Sequence, residues 1–280
     1  MEKKIVVTGA EGQLGCCVKN ITKEYPNLSF TYLNKQLLDV TDLESVLEYF
    51  DDNECTHIIN AAAYTYVDLA EENQEKAFLI NEQGAKNLAI ASVIFDIELL
   101  HISTDYVFDG NAFEPYTEST LANPINIYGA SKLAGEKAIA EIGEKYIILR
   151  TSWLYSPFGH NFYLSIKKAI EEKKGLKITT EQIGTPTNAI NLAKVLLEFI
   201  QKEDKDYGIY HYSDAGQATW YDFAYAIECK TLGKNKGYIN PIDNYPTKAK
   251  RPLYSVLSND KIKKVLDINP QPWQDALKEL

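Results

Sequence analysis

Tyr128 and Lys132 stand four residues apart in the string Tyr128-Gly-Ala-Ser-Lys132. On a helix that spacing brings two side chains to one face, a turn apart, and the segment Ile127 to Gly143 carries a helical pattern. A phenol held beside an ammonium makes a proton donor. The free phenol has a pKa of about 10 and the ammonium about 10.4. A neighbouring cation favours the phenolate and is expected to draw the tyrosine's pKa down. Ser103-Thr104-Asp105 lies upstream and is read together with this pair. A solvated helix face also produces Tyr-x-x-x-Lys by chance, so its meaning depends on the elements around it.

The first of those elements is at the N-terminus. Lys4 to Thr8 is a β-branched run, followed at once by Gly9-Ala-Glu-Gly12-Gln13-Leu14-Gly15, and a helical stretch opens at Gln13. Strand, glycine turn and helix in that order form the start of a dinucleotide-binding βαβ unit. The G-x-x-G-x-x-G spacing is one residue wider at the turn than G-x-G-x-x-G. The physics is shared: glycines admit a pyrophosphate close to the backbone, and the helix N-terminus faces the anion. Gly9, Gly12, Gln13 and Leu14 are therefore candidate cofactor contacts.

The rhythm then repeats. Leu28–Leu33, His57–Asn60, Ile97–Ile102 and Tyr146–Arg150 read as strands. Asp42 to Phe50, Gln74 to Phe95 and the Tyr128 segment read as helices. Alternation of this kind predicts an α/β fold with a Rossmann-type, doubly wound parallel sheet. Ligands of such sheets lie beyond the strands' carboxyl ends. Gly9, Ala63, Ser103-Thr104 and Thr151-Ser152-Trp153 should converge there, with Ala61, Ala62, Ala63, Tyr64 and Thr65 lining the cofactor's side. Residues 1–154 are expected to form the NAD(P)-binding domain. Residues 155–280, where the rhythm weakens, are expected to form mainly a substrate-binding lobe, with some segments returning to the sheet. Lys234 to Pro252 reads as an irregular connection.

NAD-selective units place an acidic residue at the end of the second strand. Here that corner holds Asn34 and Lys35, with no carboxylate before Asp39. Asn34 and Lys35 would accept a 2′-phosphate, so NADPH is the expected cofactor, with NADH as an alternative donor. Asp39 and Val40 are candidates to flank the adenine.

A net charge of -10 argues against nucleic acid as the main partner. No apolar run is long enough for a signal peptide or a membrane span. Cys16, Cys17, Cys55 and Cys229 lack disulfide or zinc spacing. The expectation is a cytoplasmic protein acting on a small molecule.

Taken together, these residues resemble the extended short-chain dehydrogenase/reductases, and within them the dTDP-4-dehydrorhamnose reductase family. The resemblance rests on the glycine turn, Asn60-Ala-Ala-Ala63, Val67-Asp68, Ser103-Thr-Asp-Tyr-Val-Phe108 and Tyr128-Gly-x-x-Lys132-x-x-Gly135-Glu136. It continues through Arg150-Thr-Ser-Trp-Leu-Tyr155, Asn161-Phe162, Gln182-x-Gly-x-Pro-Thr187 and Arg251-Pro252. It implies reduction of the C4 ketone of dTDP-4-dehydro-β-L-rhamnose by NAD(P)H, the last step of dTDP-L-rhamnose synthesis.

On that resemblance Tyr128 donates the proton to the C4 oxygen. Lys132 holds the nicotinamide ribose and lowers the tyrosine pKa, and Thr104 hydrogen-bonds the reacting oxygen. Val67, Asp105, Tyr106 and Trp153 are substrate contacts, and Asn161 and Arg251 are candidates for the diphosphate end. Some relatives dimerise through Mg²⁺ held by carboxylates, but Cys16-Cys17 and Ile190 stand in those regions. No metal is therefore expected, and the implied state is a monomer or weak homodimer. Two alternatives share the scaffold. One is another nucleotide-sugar reductase or epimerase; a 4-epimerase would need NAD, against which the missing acidic residue near Asn34 counts. A non-catalytic regulatory subunit like that of methionine adenosyltransferase would act by binding another protein.

Overall fold

The computed structural model describes residues 2–280. Its centre is a parallel six-stranded sheet. The strands are β1 (Lys3–Thr8), β2 (Leu28–Leu33), β3 (His57–Asn60), β4 (Glu98–Thr104), β5 (Tyr146–Thr151) and β6 (Gly208–His211). Their spatial order is β6-β5-β4-β3-β1-β2. The chain winds outward in both directions from the β1–β3 boundary, where Thr8 pairs with Asn60. Such a switch point leaves a crevice at the carboxyl ends of the two strands.

Both sheet faces are covered, as buried parallel strands require. On one face α1 (Gln13–Ile21) lays Leu14, Cys17, Val18 and Ile21 against Leu192, Leu196 and Phe199 of the helix Ala189–Gln201. Cys17 thus serves as a small packing residue. On the other face α2 (Leu43–Asp52), capped by Asp42, packs Val46 and Phe50 beside Leu88 and Ile139. A separate cluster of Tyr155, Tyr163, Ile166, Phe223, Ile227 and Trp273 forms in the C-terminal half.

Two departures from the sequence reading matter. The helical stretch beginning at Gln74 is broken by a π-helical segment, Leu79–Gln83, between Gln74–Phe78 and Gly84–Ile94. There the buried Asn81 accepts from the Tyr64 N–H at 2.8 Å and donates to the Tyr64 carbonyl at 3.0 Å and the Ser131 hydroxyl at 2.9 Å. A single wide turn is invisible to a 3.6-residue periodicity. The stretch Lys234 to Pro252 is also not wholly irregular. Ile239–Ile242 is a strand, parallel to Leu176–Thr179.

Candidate active site

The crevice beyond the strand ends encloses about 550 Å³. One wall is the glycine turn. Gly9 sits at φ 64°, and a Cβ there would lie 2.6 Å from the Ala62 nitrogen, so only glycine lets the turn close on the β3 exit. Gly12 is the N-cap of α1 and offers no side-chain cap. Cys16 is the first residue of α1 whose N–H reaches a carbonyl four residues back, that of Gly12 at 3.0 Å. The earlier first-turn N–H groups are left for a ligand, and with the helix dipole behind them they suit an anion. The pyrophosphate of a dinucleotide fits this donor set.

The opposite wall carries the reacting groups. Asn126 caps the Tyr128 helix, Ile127–Ile142, accepting from the Gly129 N–H at 2.8 Å. At Gly129 a Cβ would collide with the Tyr106 carbonyl, so this glycine lets the helix approach the end of β4. That approach sets the Tyr128 ring edge-on to Tyr106, with centroids 5.7 Å apart. Thr104 Oγ1 donates to Asp105 Oδ1 at 3.1 Å and accepts from the Tyr106 N–H at 3.2 Å. Lys132, one turn on from Tyr128, is buried, with Nζ 3.1 Å from His101 Nε2.

One expectation is corrected here. Burial raises the Tyr128 phenol above its ordinary pKa, opposed by a hydrogen bond from Thr104, and Lys132 does not lower it. The rise comes from the phenol's own loss of solvent, and Lys132, buried beside it, has its pKa lowered to about 8 against the pull of Glu136. The phenol is therefore a fully protonated acid at neutral pH.

Asp105 is buried, and Oδ2 has no hydrogen-bond partner among the described residues. Burial pushes its carboxyl up to about 7, against hydrogen bonds from Ser255 and Thr104. A carboxyl raised in the folded state binds more protons than in the unfolded chain between about pH 4 and 7. Its contribution to stability is therefore complete below about pH 4 and is lost as pH rises through 7. Asp105→Asn should gain on the wild type over that window, by at most about 4 kcal/mol. Thermal midpoints of both proteins from pH 4 to 7.5 check this. A constant difference would refute it.

The far rim is aromatic. Trp153 adopts φ 45°, and its indole stacks on Trp220 with centroids 3.6 Å apart and planes 8° apart. Trp220 Nε1 donates to Gln182 at 3.0 Å. Gly184 also touches the indole: a Cβ added there would lie 2.5 Å from Trp153 Cε2. Gly184 has no positive φ, and the three atoms nearest such a Cβ all belong to the indole. Gly184→Ala should displace Trp153 at a cost of about 1–3 kcal/mol. If Trp153 walls the sugar site, KM for the nucleotide sugar rises roughly 5–100-fold while NADPH binding is unchanged. Equal effects on both ligands would count against that placement.

Of the expected site residues, Gly12, Gln13, Leu14, Ala61, Ala63, Thr65, Val67, Thr104, Asp105, Tyr106, Tyr128, Lys132, Trp153, Asn161 and Arg251 line the crevice. The others are placed differently. Ala62 packs under Gly9. Tyr64 is buried with Ala70 and Ala77. Val40 is also buried, its carbonyl taken by Asn87. Lys35 pairs with Asp39 at 3.3 Å, and both line a separate surface hollow with Tyr49.

Asn34 donates to Glu11 Oε1 at 2.7 Å. A carboxylate therefore does stand at this corner, supplied by the glycine turn rather than by β2. Asn161 is a correction: its amide donates to the carbonyls of Ser156 and Phe158 and caps the helix Phe162–Glu171 through Leu164, leaving no free donor for a phosphate. Arg251 pairs with Asp68 at 2.8 Å and reaches the Tyr106 hydroxyl at 3.2 Å, with its Nε unpartnered.

Sequence reasoning missed Glu11, His160 and Trp220, which also line the crevice, whereas Ser103, Thr151 and Ser152 lie there as the strand ends imply. Glu11 could have been noticed inside the glycine turn. Trp220 opens a helix behind the Thr219–Asp222 capping box, but only the fold brings it to Trp153. Among the described residues no helix is long and apolar enough to cross a membrane. No cluster of three or more His, Cys, Asp or Glu among them is placed to hold a metal ion.

A parallel sheet with a glycine turn at its switch point, facing a Tyr–Lys pair, defines a Rossmann-type protein of the short-chain dehydrogenase/reductase class. The chain belongs to the RmlD substrate binding domain family, which matches residues 3–280. It is 37% identical to dTDP-4-dehydrorhamnose reductase of Aggregatibacter actinomycetemcomitans, over 99% of this chain and 98% of that one. Two solved structures are similar. The dTDP-4-dehydrorhamnose reductase of Clostridium acetobutylicum superposes with a TM-score of 0.91 at 39% identity, covering 99% of this chain and 97% of that one. The dTDP-4-dehydrorhamnose reductase of Bacillus anthracis, solved in complex with NADP, gives 0.93 at 35% identity, covering 100% and 98%.

Proposed function

We propose that this protein reduces the C4 ketone of dTDP-4-dehydro-β-L-rhamnose to dTDP-L-rhamnose, with NADPH as the reductant. The observation that carries the reading is the meeting of Thr104, Tyr128 and Lys132 in one crevice with the glycine turn and Trp153. Full-length similarity to reductases of that name supports it.

Reduced nicotinamide supplies the hydride. The chain supplies everything else. The α1 N-terminus holds the pyrophosphate, and the Tyr128 hydroxyl protonates the C4 oxygen. The Thr104 hydroxyl hydrogen-bonds that oxygen, and Lys132 takes the ribose. Residues 1–154, with the helix Ala189–Gln201 and β6, bind the cofactor in this reading. The rest of 155–280 closes over the sugar nucleotide, with Trp153 as a flat wall and Arg251 free to exchange Asp68 for a phosphate. The free cysteines agree with a cytoplasmic enzyme.

Mixing the protein with the 4-keto sugar nucleotide and either NADPH or NADH, and following loss of reduced-nicotinamide absorbance, tests the reading. Oxidation that requires dTDP-4-dehydro-β-L-rhamnose and runs faster with NADPH is expected. Cofactor binding without oxidation would sink it.

A further inference from the structure

Lys132 Nζ has one hydrogen-bond partner among the described residues, His101 Nε2. Which of the two nitrogens carries the proton is settled further along the strands. Asn60 Oδ1 accepts from the Ala62 backbone N–H at 3.1 Å and from the Thr8 hydroxyl at 2.9 Å. A backbone N–H can only donate, so the amide oxygen must face Ala62 and the amide nitrogen must face away. That nitrogen lies 3.0 Å from His101 Nδ1. It too can only donate, so Nδ1 accepts and carries no proton. Burial holds the His101 pKa well below its ordinary value, so the ring is neutral. Its one proton is therefore on Nε2 and points at Lys132. An ammonium there would face an N–H donor; a neutral amine accepts from it.

The other charged or titratable groups about Lys132 do not reverse this. Glu136, one turn along the helix, is already taken by Arg150 of β5 at 2.9 and 2.6 Å and by Ser103 of β4. Tyr128, one turn back, is a protonated phenol, and Asp105 at the end of β4 lies beside Thr104.

We propose that Asn60 and His101 are positioning residues that aim an N–H at Lys132, shifting it towards the neutral amine while the crevice is open. A ligand hydroxyl that accepts from Nζ stabilises the ammonium against that N–H, so cofactor loading is coupled to proton uptake from solvent. The coupling rests on the reductase reading; the relay itself does not. The lowered pKa of Lys132, about 8, points the same way.

Nitrogen-15 histidine spectra of the ligand-free wild type read the tautomer directly, without any variant. His101 is expected as the Nε2–H form, and the Nδ1–H form overturns the proposal. Carbon-13-labelled lysine spectra, with Lys132 assigned by its loss in Lys132→Arg, follow its titration. Asn60→Asp keeps an acceptor for Ala62 but takes the proton on Nδ1, turning Nε2 into an acceptor. The Lys132 midpoint should then rise by about one pH unit or more; no change overturns the relay. Calorimetry of NADPH binding near pH 8 in buffers of unlike ionisation heat reads the uptake, and a buffer-independent heat removes the coupling. A protein with the expected tautomer that oxidises no NADPH fails the reductase reading alone. A reductase with the Nδ1–H form fails the relay alone.

Discussion

Tyr128→Phe is expected to lower turnover about 10²–10⁴-fold, the usual worth of a positioned general acid. The substitution removes one oxygen and little else. The Tyr128 ring packs edge-on to Tyr106, and a phenylalanine keeps that contact. Gly129 and the Asn126 cap keep the helix in place. Binding of NADPH, read by its fluorescence, should therefore be unchanged, which separates lost chemistry from lost structure. Because burial holds the phenol protonated, the wild type should not lose activity below pH 8 through Tyr128. Saturated turnover within tenfold of the wild type would assign the proton to another donor, with Asp105 next to be tested.

The second large effect is on stability. Glu136 and Arg150 are buried, and two guanidinium N–H groups meet the two carboxylate oxygens at 2.9 and 2.6 Å. Ser103 donates to the same carboxylate, and Arg150 NH1 reaches His211 on β6 at 3.4 Å. The network ties the Tyr128 helix to β4, β5 and β6. Glu136→Gln keeps the shape but leaves Arg150 as an unpaired buried charge, which costs about 3–5 kcal/mol. At roughly 2–4 °C per kcal/mol for a chain of this size, the melting temperature should fall by about 6–20 °C. Replacing both residues by methionine removes the charge as well as its partner, and should recover much of the loss. A double variant no more stable than Glu136→Gln would mean that the loss comes from packing rather than from the stranded charge.

The parts of the molecule set by local pattern were legible in the residues. β1 falls on the β-branched run that leads into the glycine turn, and Asp42 announces α2 by capping it. The glycine turn and the Tyr–Lys pair were legible because their chemistry depends on spacing within one segment. What escaped depends on meetings across the chain. Trp220 reaches Trp153 only through the fold, and Glu11 reaches Asn34 across the β1–β2 corner. The tyrosine's raised pKa escaped for a different reason. Spacing shows that a cation is near, but not how far both groups have left water, and here that loss decides the direction. Asn161 misled because an asparagine that caps a helix and one that binds a phosphate look alike in a string of letters.

The position of β6 has a cost in time. On a ribosome the chain completes β5 at Thr151, but β6 begins only at Gly208, roughly sixty residues and about 3–12 s later at ordinary synthesis rates. The helix Ala189–Gln201, which covers α1 and its sheet face, is also made in that interval. Until then the nascent chain carries an unpaired edge on β5 and an uncovered apolar face, the two features that invite sticking between chains. A message cut short after the fifth strand would yield, in place of a smaller cofactor-binding protein, a substrate for chaperones and proteases.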